Sequence, residues 1–238
     1  MVPPESVIDS DAMKLPRIQY ITHPDEQFEE LAWVHRLHEN GVNWIQLRIK
    51  EDDFIQRFPH KHFLATFHEI ADKMRAVTEA LGMVLTINDE ADVARFSHAD
   101  GLHIGQEDVH PTQALHQLTT GKILGGTANS IEEIQRFNGV QMSYFGVGPF
   151  RSTTTKSTLK PILGIEGYQR IINFLKQENL EVPVYAIGGI LASDVQPILE
   201  TGVYGIAVSG AFFNEKHSPE SIRAFVDKVE AYELTVGR

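Results

Sequence analysis

Residues 18–47 read IQYITHPDEQFEELAWVHRLHENGVNWIQL. Ile18-Gln19-Tyr20-Ile21 is an apolar run of strand length. From about Asp25 to Glu39, Phe28, Leu31, Ala32, Val34 and Leu37 recur at helical spacing, and Trp44-Ile45-Gln46-Leu47 then opens a second strand. This is one β/α unit and the start of the next, and the pattern repeats along the chain. A helix is predicted from roughly His62 to Leu81, with Gly82 placed to end it. Further strands are predicted at Val84–Ile87, Gly101–His103, Ile123–Gly125, Tyr144–Val147, Pro183–Ile187 and Gly205–Val208. Eight strands alternating with helical segments in 238 residues favour a closed parallel TIM (β/α)8 barrel, a single α/β domain, over an open doubly wound sheet.

The composition agrees with a soluble globular domain. Hydrophobic residues make up 42% and charged residues 22%, enough to bury a substantial core. A net charge of -11 opposes broad binding to nucleic acid or to an anionic membrane, so any anion site must be locally basic. With no cysteine, disulfides, thiolate metal sites and cysteine nucleophiles are excluded, and the cytoplasm is the expected compartment. Residues 1–16 hold Glu5, Asp9 and Asp11 without a long apolar run, and are expected to be a mobile tail ahead of a catalytic domain at 17–238. No stretch approaches the roughly 18 apolar residues of a membrane span. A homo-oligomer is compatible with all of this.

Barrel enzymes place their chemistry at the C-terminal ends of the strands. In Gln46-Leu47-Arg48-Ile49-Lys50, strand alternation sends Gln46, Arg48 and Lys50 to one side, so two cations share a face. Interior charges need partners; either an anionic ligand or an ion pair with Asp89 or Asp108 satisfies them. Asn88-Asp89 closes the third strand and Asp108 lies just past the fourth. Such a carboxylate pair suits Mg²⁺ with a diphosphate, although Asp89 is also placed to cap a helix beginning near Glu90.

Gly148-Pro149-Phe150-Arg151-Ser152-Thr153-Thr154-Thr155-Lys156 is too polar for core. It reads as a phosphate loop, in which amides and threonine hydroxyls hold one phosphate and Lys156 reaches another, or as a solvated loop. Gly188-Gly189 and Ser209-Gly210 follow the seventh and eighth strands, where barrels bind phosphate through backbone amides. A tight turn alone explains Gly188 and Gly189 but not the second glycine site beside them. The chain has 11 histidines, yet those around His60-Lys61-His62 lie away from the strand ends, and His103 reads as an interior imidazole bonded to a neighbour. There is no P-loop, dinucleotide fingerprint or hydrolase triad.

Taken in order, Gln46-Leu47-Arg48-Ile49-Lys50, Ile87-Asn88-Asp89, Asp100-Gly101-Leu102-His103-Ile104-Gly105-Gln106-Glu107-Asp108, Gly148-Pro149 with Thr153-Thr154-Thr155-Lys156, and Ala186-Ile187-Gly188-Gly189-Ile190 resemble the thiamine-phosphate synthase family over roughly Ile18 to Phe213. The resemblance implies a Mg²⁺-dependent transferase that joins hydroxymethylpyrimidine diphosphate to a thiazole phosphate, releasing pyrophosphate. By the family pattern Gln46, Arg48, Lys50, Asn88, Thr127 and Lys156 bind the pyrimidine diphosphate, with Arg48, Lys50 and Lys156 as the catalytic cations. Asp89 and Asp108 hold Mg²⁺, and the thiazole phosphate lies against Thr153, Thr155, Gly188 or Gly189, and the Ser209-Gly210 backbone.

The chain departs from the family pattern in four places. Thr127 stands for the usual serine, Ile49 for an acidic residue, and Arg151-Ser152 for a more apolar, proline-containing approach to the threonines. The serine of the last motif comes one position early, as Ser209. Two other readings remain: a thiazole tautomerase, whose pattern has histidine where this chain has Asn129, and a ligand-binding barrel without catalysis.

Overall fold

The computed structural model describes residues 14–23, 31–152 and 161–237. Eight parallel strands close into a barrel in sequence order: β1 (Ile18–Ile21), β2 (Trp44–Leu47), β3 (Val84–Asn88), β4 (Gly101–Ile104), β5 (Ile123–Ala128), β6 (Tyr144–Val147), β7 (Val184–Ile187) and β8 (Gly205–Val208). β1 pairs with both β2 and β8, which closes the ring. The helices are α1 (Ala32–Glu39), α2 (Glu51–Arg57), α3 (Phe63–Ala80), α4 (Ala91–Phe96), α5 (Pro111–Gln117), α6 (Ile131–Gln135), α7 (Gly164–Gln177), α8 (Val195–Glu200), α9 (Gly210–Phe213) and α10 (Pro219–Val236). Among the described residues no helix is long and apolar enough to cross a membrane.

The helix predicted from Asp25 is seen as α1 from Ala32; residues 24–30 lie outside the described residues. β5 runs three residues further than its apolar pattern indicates, because Gly126, Thr127 and Ala128 still pair with β6. The short helix α2, directly after β2, has no counterpart in the sequence prediction; Glu51, Asp52 and Asp53 stabilise its positive N-terminal end. Gly82 ends α3 in the left-handed conformation, φ +67°, as its position predicts.

Both faces of each strand are covered, so the strands are buried and mostly apolar, and the alternation separates two cores. Outward residues such as Ile45, Leu47, Leu85, Ile87, Leu102 and Leu124 join the helices in one large cluster. Inward residues Trp44, Val84, Ile123, Tyr144 and Tyr185 form a second cluster with Leu15, filling the lower barrel. Trp44 meets Tyr144 and Tyr185 edge-on, with ring centroids 4.7 and 5.1 Å apart. Rings this large fit because other inward positions are glycine: a Cβ on Gly125 would lie 2.2 Å from the Tyr144 ring. Leu15 and Pro16, at the end of the expected tail, belong to this plug; their carbonyls accept from the Tyr204 and Tyr185 hydroxyls at 2.7 and 2.8 Å.

Above the plug lies a polar layer, which is tolerable inside a barrel because its members bond one another. Trp44 Nε1 donates to Thr86 Oγ1 at 3.1 Å, and Gln19 Nε2 donates to the Tyr144 hydroxyl at 3.1 Å. His103 bridges upward, with Nδ1 2.8 Å from the Tyr144 hydroxyl and Nε2 2.7 Å from Thr127 Oγ1. Packing at the closed end is thus linked to the open mouth.

Candidate active site

On β2 and just past its end, Gln46, Arg48 and Lys50 all come near Asn88 and Asp89 of β3 and the turn after it. Gln46 is buried, and its Nε2 donates to Asn88 Oδ1 of β3 at 2.7 Å. Its Oε1 is buried with no hydrogen-bond partner. Two residues on, Arg48 is half-buried. Burial pulls its pKa below the ordinary value, against the opposing pull of Asp89, Asp53 and Asp108. Two further on, Lys50 Nζ donates to Asp89 Oδ2.

Asp89 does not cap a helix. The residue preceding α4 is Glu90, while Asp89 itself takes a left-handed backbone, φ +67°. An aspartate in that region is uncommon and costs about 1 kcal/mol or more. The turn is held by the Asp89 amide, which donates to the His103 carbonyl at 2.8 Å, and it brings the carboxylate against Lys50. The ion-pair reading of Lys50 and the site reading therefore coincide in one cluster.

Asp108 comes to the same place from the loop after β4. Its Oδ2 accepts from the Gly105 amide at 2.6 Å, and a Cβ on Gly105 would sit 2.9 Å from that oxygen. The two carboxyl groups lie near enough for each to shift the titration of the other. Burial first, then Asp108, pushes Asp89 up to about 6, with Lys50 opposing. Burial also acts to raise Asp108, but Asp89 and the bond from the Gly105 amide, with Lys50 and His103 nearby, outweigh it and hold its pKa below the ordinary value. Two neighbouring carboxyls beside a lysine are a donor set of the kind a hard divalent cation takes. Among the described residues no group of three or more histidine, aspartate or glutamate side chains is arranged to hold a metal, so a cation here would draw its other ligands from water or substrate.

Thr127 stands on β5 with its hydroxyl on His103, and its carbonyl accepts from Gln106 Nε2 at 2.6 Å. Gly188 and Gly189, after β7, have φ +96° and +68°, and a Cβ on Gly188 would lie 2.7 Å from Pro149. Ser209 and Gly210 follow β8, whose Ala207 is paired with Ile187 of β7, so the two glycine sites are neighbours. Ser209 Oγ is buried and unpartnered. Thr153, Thr154, Thr155 and Lys156 lie outside the described residues.

Three residues gain a place at the mouth that the sequence did not indicate. His103 reads as core, and it is bonded within the barrel, but its second nitrogen orients Thr127. Asn129 Nδ2 donates to the Gly148 and Pro161 carbonyls at 2.8 and 2.9 Å, tying both ends of the loop after β6. Arg151 pairs with Asp194 beyond β7. Only the closure of the barrel makes these contacts, between residues 19 to 43 positions apart. His60 and His62 are exposed, His62 accepting from the Ala65 amide at the start of α3, as expected of a solvated face.

The comparisons with known proteins agree with this geometry. A family model described as thiamine monophosphate synthase matches residues 18–212. A thiamine-phosphate synthase of Bacteroides fragilis is 35% identical over 210 residues, covering 88% of this chain and 98% of its own length. One from Flavobacterium johnsoniae is 36% identical over 219 residues, covering 90% and 97%. A solved structure, thiamine phosphate pyrophosphorylase from Pyrococcus furiosus, superposes with a TM-score of 0.74 at 27% identity, over 91% of this chain and 96% of that one. Matched across nearly the whole barrel, this chain belongs to the thiamine monophosphate synthase family.

Proposed function

We propose that the protein joins hydroxymethylpyrimidine diphosphate to a thiazole phosphate, giving thiamine phosphate and pyrophosphate, with Arg48, Lys50 and Lys156 serving the diphosphate. The observation behind the residue assignment is the gathering of Arg48, Lys50, Asp89 and Asp108 at one barrel mouth, beside Gln46 and Asn88. In this reaction the bond from the pyrimidine methylene to the diphosphate oxygen breaks, and the thiazole nitrogen forms the new bond to that carbon. Such chemistry needs no protein nucleophile; it needs charge neutralised on the leaving group and two reactants held in line.

Gln46 Oε1, buried and unpartnered, suits an N–H donor such as the amino group of the pyrimidine. Arg48 and Lys50 face the diphosphate, Arg48 as a planar fork. Asp89 and Asp108 would hold Mg²⁺, which when bound offsets negative charge on the departing diphosphate. The amides at Gly188 and Gly189, with those at Ser209 and Gly210, would take the thiazole phosphate, and Thr153 and Thr155 would close on it. Tautomerase chemistry finds no support at Asn129, whose amide is committed to two backbone carbonyls.

A coupled assay for thiamine phosphate tests the proposal: product is expected only with both substrates and Mg²⁺. No product at saturating substrates and metal, with the thiazole phosphate still bound, would point to the tautomerase or the non-catalytic barrel. A second expectation concerns pH. Asp89 is raised from the ordinary carboxylate range to about 6 in the fold, so between those values the folded state binds more protons than the unfolded one. Its contribution therefore opposes folding above pH 6 and is relieved as pH falls through about 6. Because proton and cation compete for this carboxyl, Mg²⁺ is expected to raise Tm more at about pH 8 than at about pH 5.5. Thermal melts with Mg²⁺ and with chelator check it, and equal increments at both pH values would remove Asp89 from the metal site.

A further inference from the structure

The loops after β6 and β7 are zipped together. The Phe150 amide donates to the Ile187 carbonyl at 2.8 Å and the Arg151 amide to the Gly188 carbonyl at 3.1 Å. The Arg151 side chain extends the series, Nη1 donating to the Gly189 carbonyl at 3.1 Å. Its guanidinium also grips Asp194 with two bonds, Nη1 to Oδ2 at 2.8 Å and Nη2 to Oδ1 at 3.0 Å. Asp194, at the end of the turn Ala192–Asp194, is itself fixed by the Leu191 amide, which donates to Oδ2 at 2.8 Å. Three successive carbonyls thus face one neighbouring loop.

A trans peptide is planar, with its C=O and N–H on opposite sides. Each carbonyl held by Phe150 or Arg151 therefore turns the next N–H, that of Gly188, Gly189 or Ile190, away from the β6 loop. The positive φ values at Gly188 and Gly189 are what let consecutive carbonyls point the same way. A Cβ on Gly189 would stand 2.5 Å from Arg151 Cγ, so the arginine stem lies directly against that glycine.

We infer that Arg151 and Asp194 are positioning residues: with Asp194 fixing its guanidinium, the Arg151 side chain holds the Gly189 carbonyl and locks the two backbone bonds beside it, and so aims the amides of 188–190 at the phosphate of the thiazole substrate. The inference rests on the assignment of Gly188 and Gly189 to that phosphate. Arg151 is matched in charge by Asp194 and acts through the backbone.

Steady-state kinetics of Arg151→Ala, Asp194→Asn and the double variant, with each substrate varied in turn, test it. Either single change is expected to raise KM for the thiazole phosphate about 10-fold while KM for the pyrimidine diphosphate stays within about twofold. The double variant is expected to be no worse than the worse single one, since both break the same link. Asp194→Asn keeps the size of the side chain, so it serves if Arg151→Ala fails to fold. An unchanged KM for the thiazole phosphate, an equal rise in both KM values, or additive losses in the double variant would overturn the clamp. An active wild type with unaffected variants sinks the clamp alone, whereas an inactive wild type sinks the functional reading and the clamp with it.

Discussion

Asp89→Ala is expected to lower kcat/KM for the condensation by about 10³-fold, equivalent to roughly 4 kcal/mol of transition-state stabilisation. Asp89 sits between Lys50 and Asp108, so its removal takes away one carboxylate of the proposed metal pair and frees Lys50 from its partner. Stability is expected to change much less. The Asp89 carboxyl is pushed up to about 6, chiefly by burial, so its ionised form is disfavoured by the fold at neutral pH. Relief of that penalty is offset by the strain of alanine at the left-handed turn, so the variant should melt within a few degrees of the wild type at about pH 8 in the presence of chelator. Kinetics and thermal melts on the same preparation separate the two effects. Wild-type turnover would remove Asp89 from the reaction, and a collapsed Tm would make it a structural residue. Lys156→Ala is expected to impair turnover sharply as well, through the diphosphate.

Trp44→Ala is expected to destabilise the barrel by about 3–5 kcal/mol, the usual range for deleting a buried tryptophan. The indole is fully buried between Tyr144 and Tyr185, and its Nε1 satisfies Thr86 in the polar layer above. The closed barrel cannot collapse to fill the space, because the surrounding strands are paired all the way round. For a domain of this size the loss corresponds to a fall in Tm of roughly 10 °C. Urea denaturation and calorimetry measure it; a loss below about 1 kcal/mol would mean that the plug repacks around the gap.

The candidate site divides into a part that local sequence announces and a part that it does not. Gln46, Arg48 and Lys50 were legible because a strand's period of two places them on one face whatever the tertiary structure. Asn88-Asp89 and Gly188-Gly189 were legible because polar or glycine residues directly follow apolar runs. The conformation of Asp89 was not: spacing alone fits a helix cap as well as a ligand, and only the left-handed turn, held by the His103 carbonyl, excludes the cap. The second role of His103 was equally hidden, since its partners Tyr144 and Thr127 come from β6 and β5. The extension of β5 through Thr127 was missed because glycines lack a strand signal, although here they make room for Tyr144 and let the backbone pair with β6.

Taken by itself, the sequence determined the alternation of strands and helices, the shared face of Gln46, Arg48 and Lys50 and the presence of cations, carboxylates and glycines at the strand ends. These follow from periodicity and residue chemistry, which act over a few residues. The tertiary structure alone decided which of those ends meet: the approach of Asp89 to Asp108 and Lys50, the relay from Tyr144 through His103 to Thr127, and the grip of Arg151 on Asp194. Those contacts depend on barrel closure and on burial, which sets both the partners of a charged group and its pKa, and neither is encoded in any single stretch of the chain.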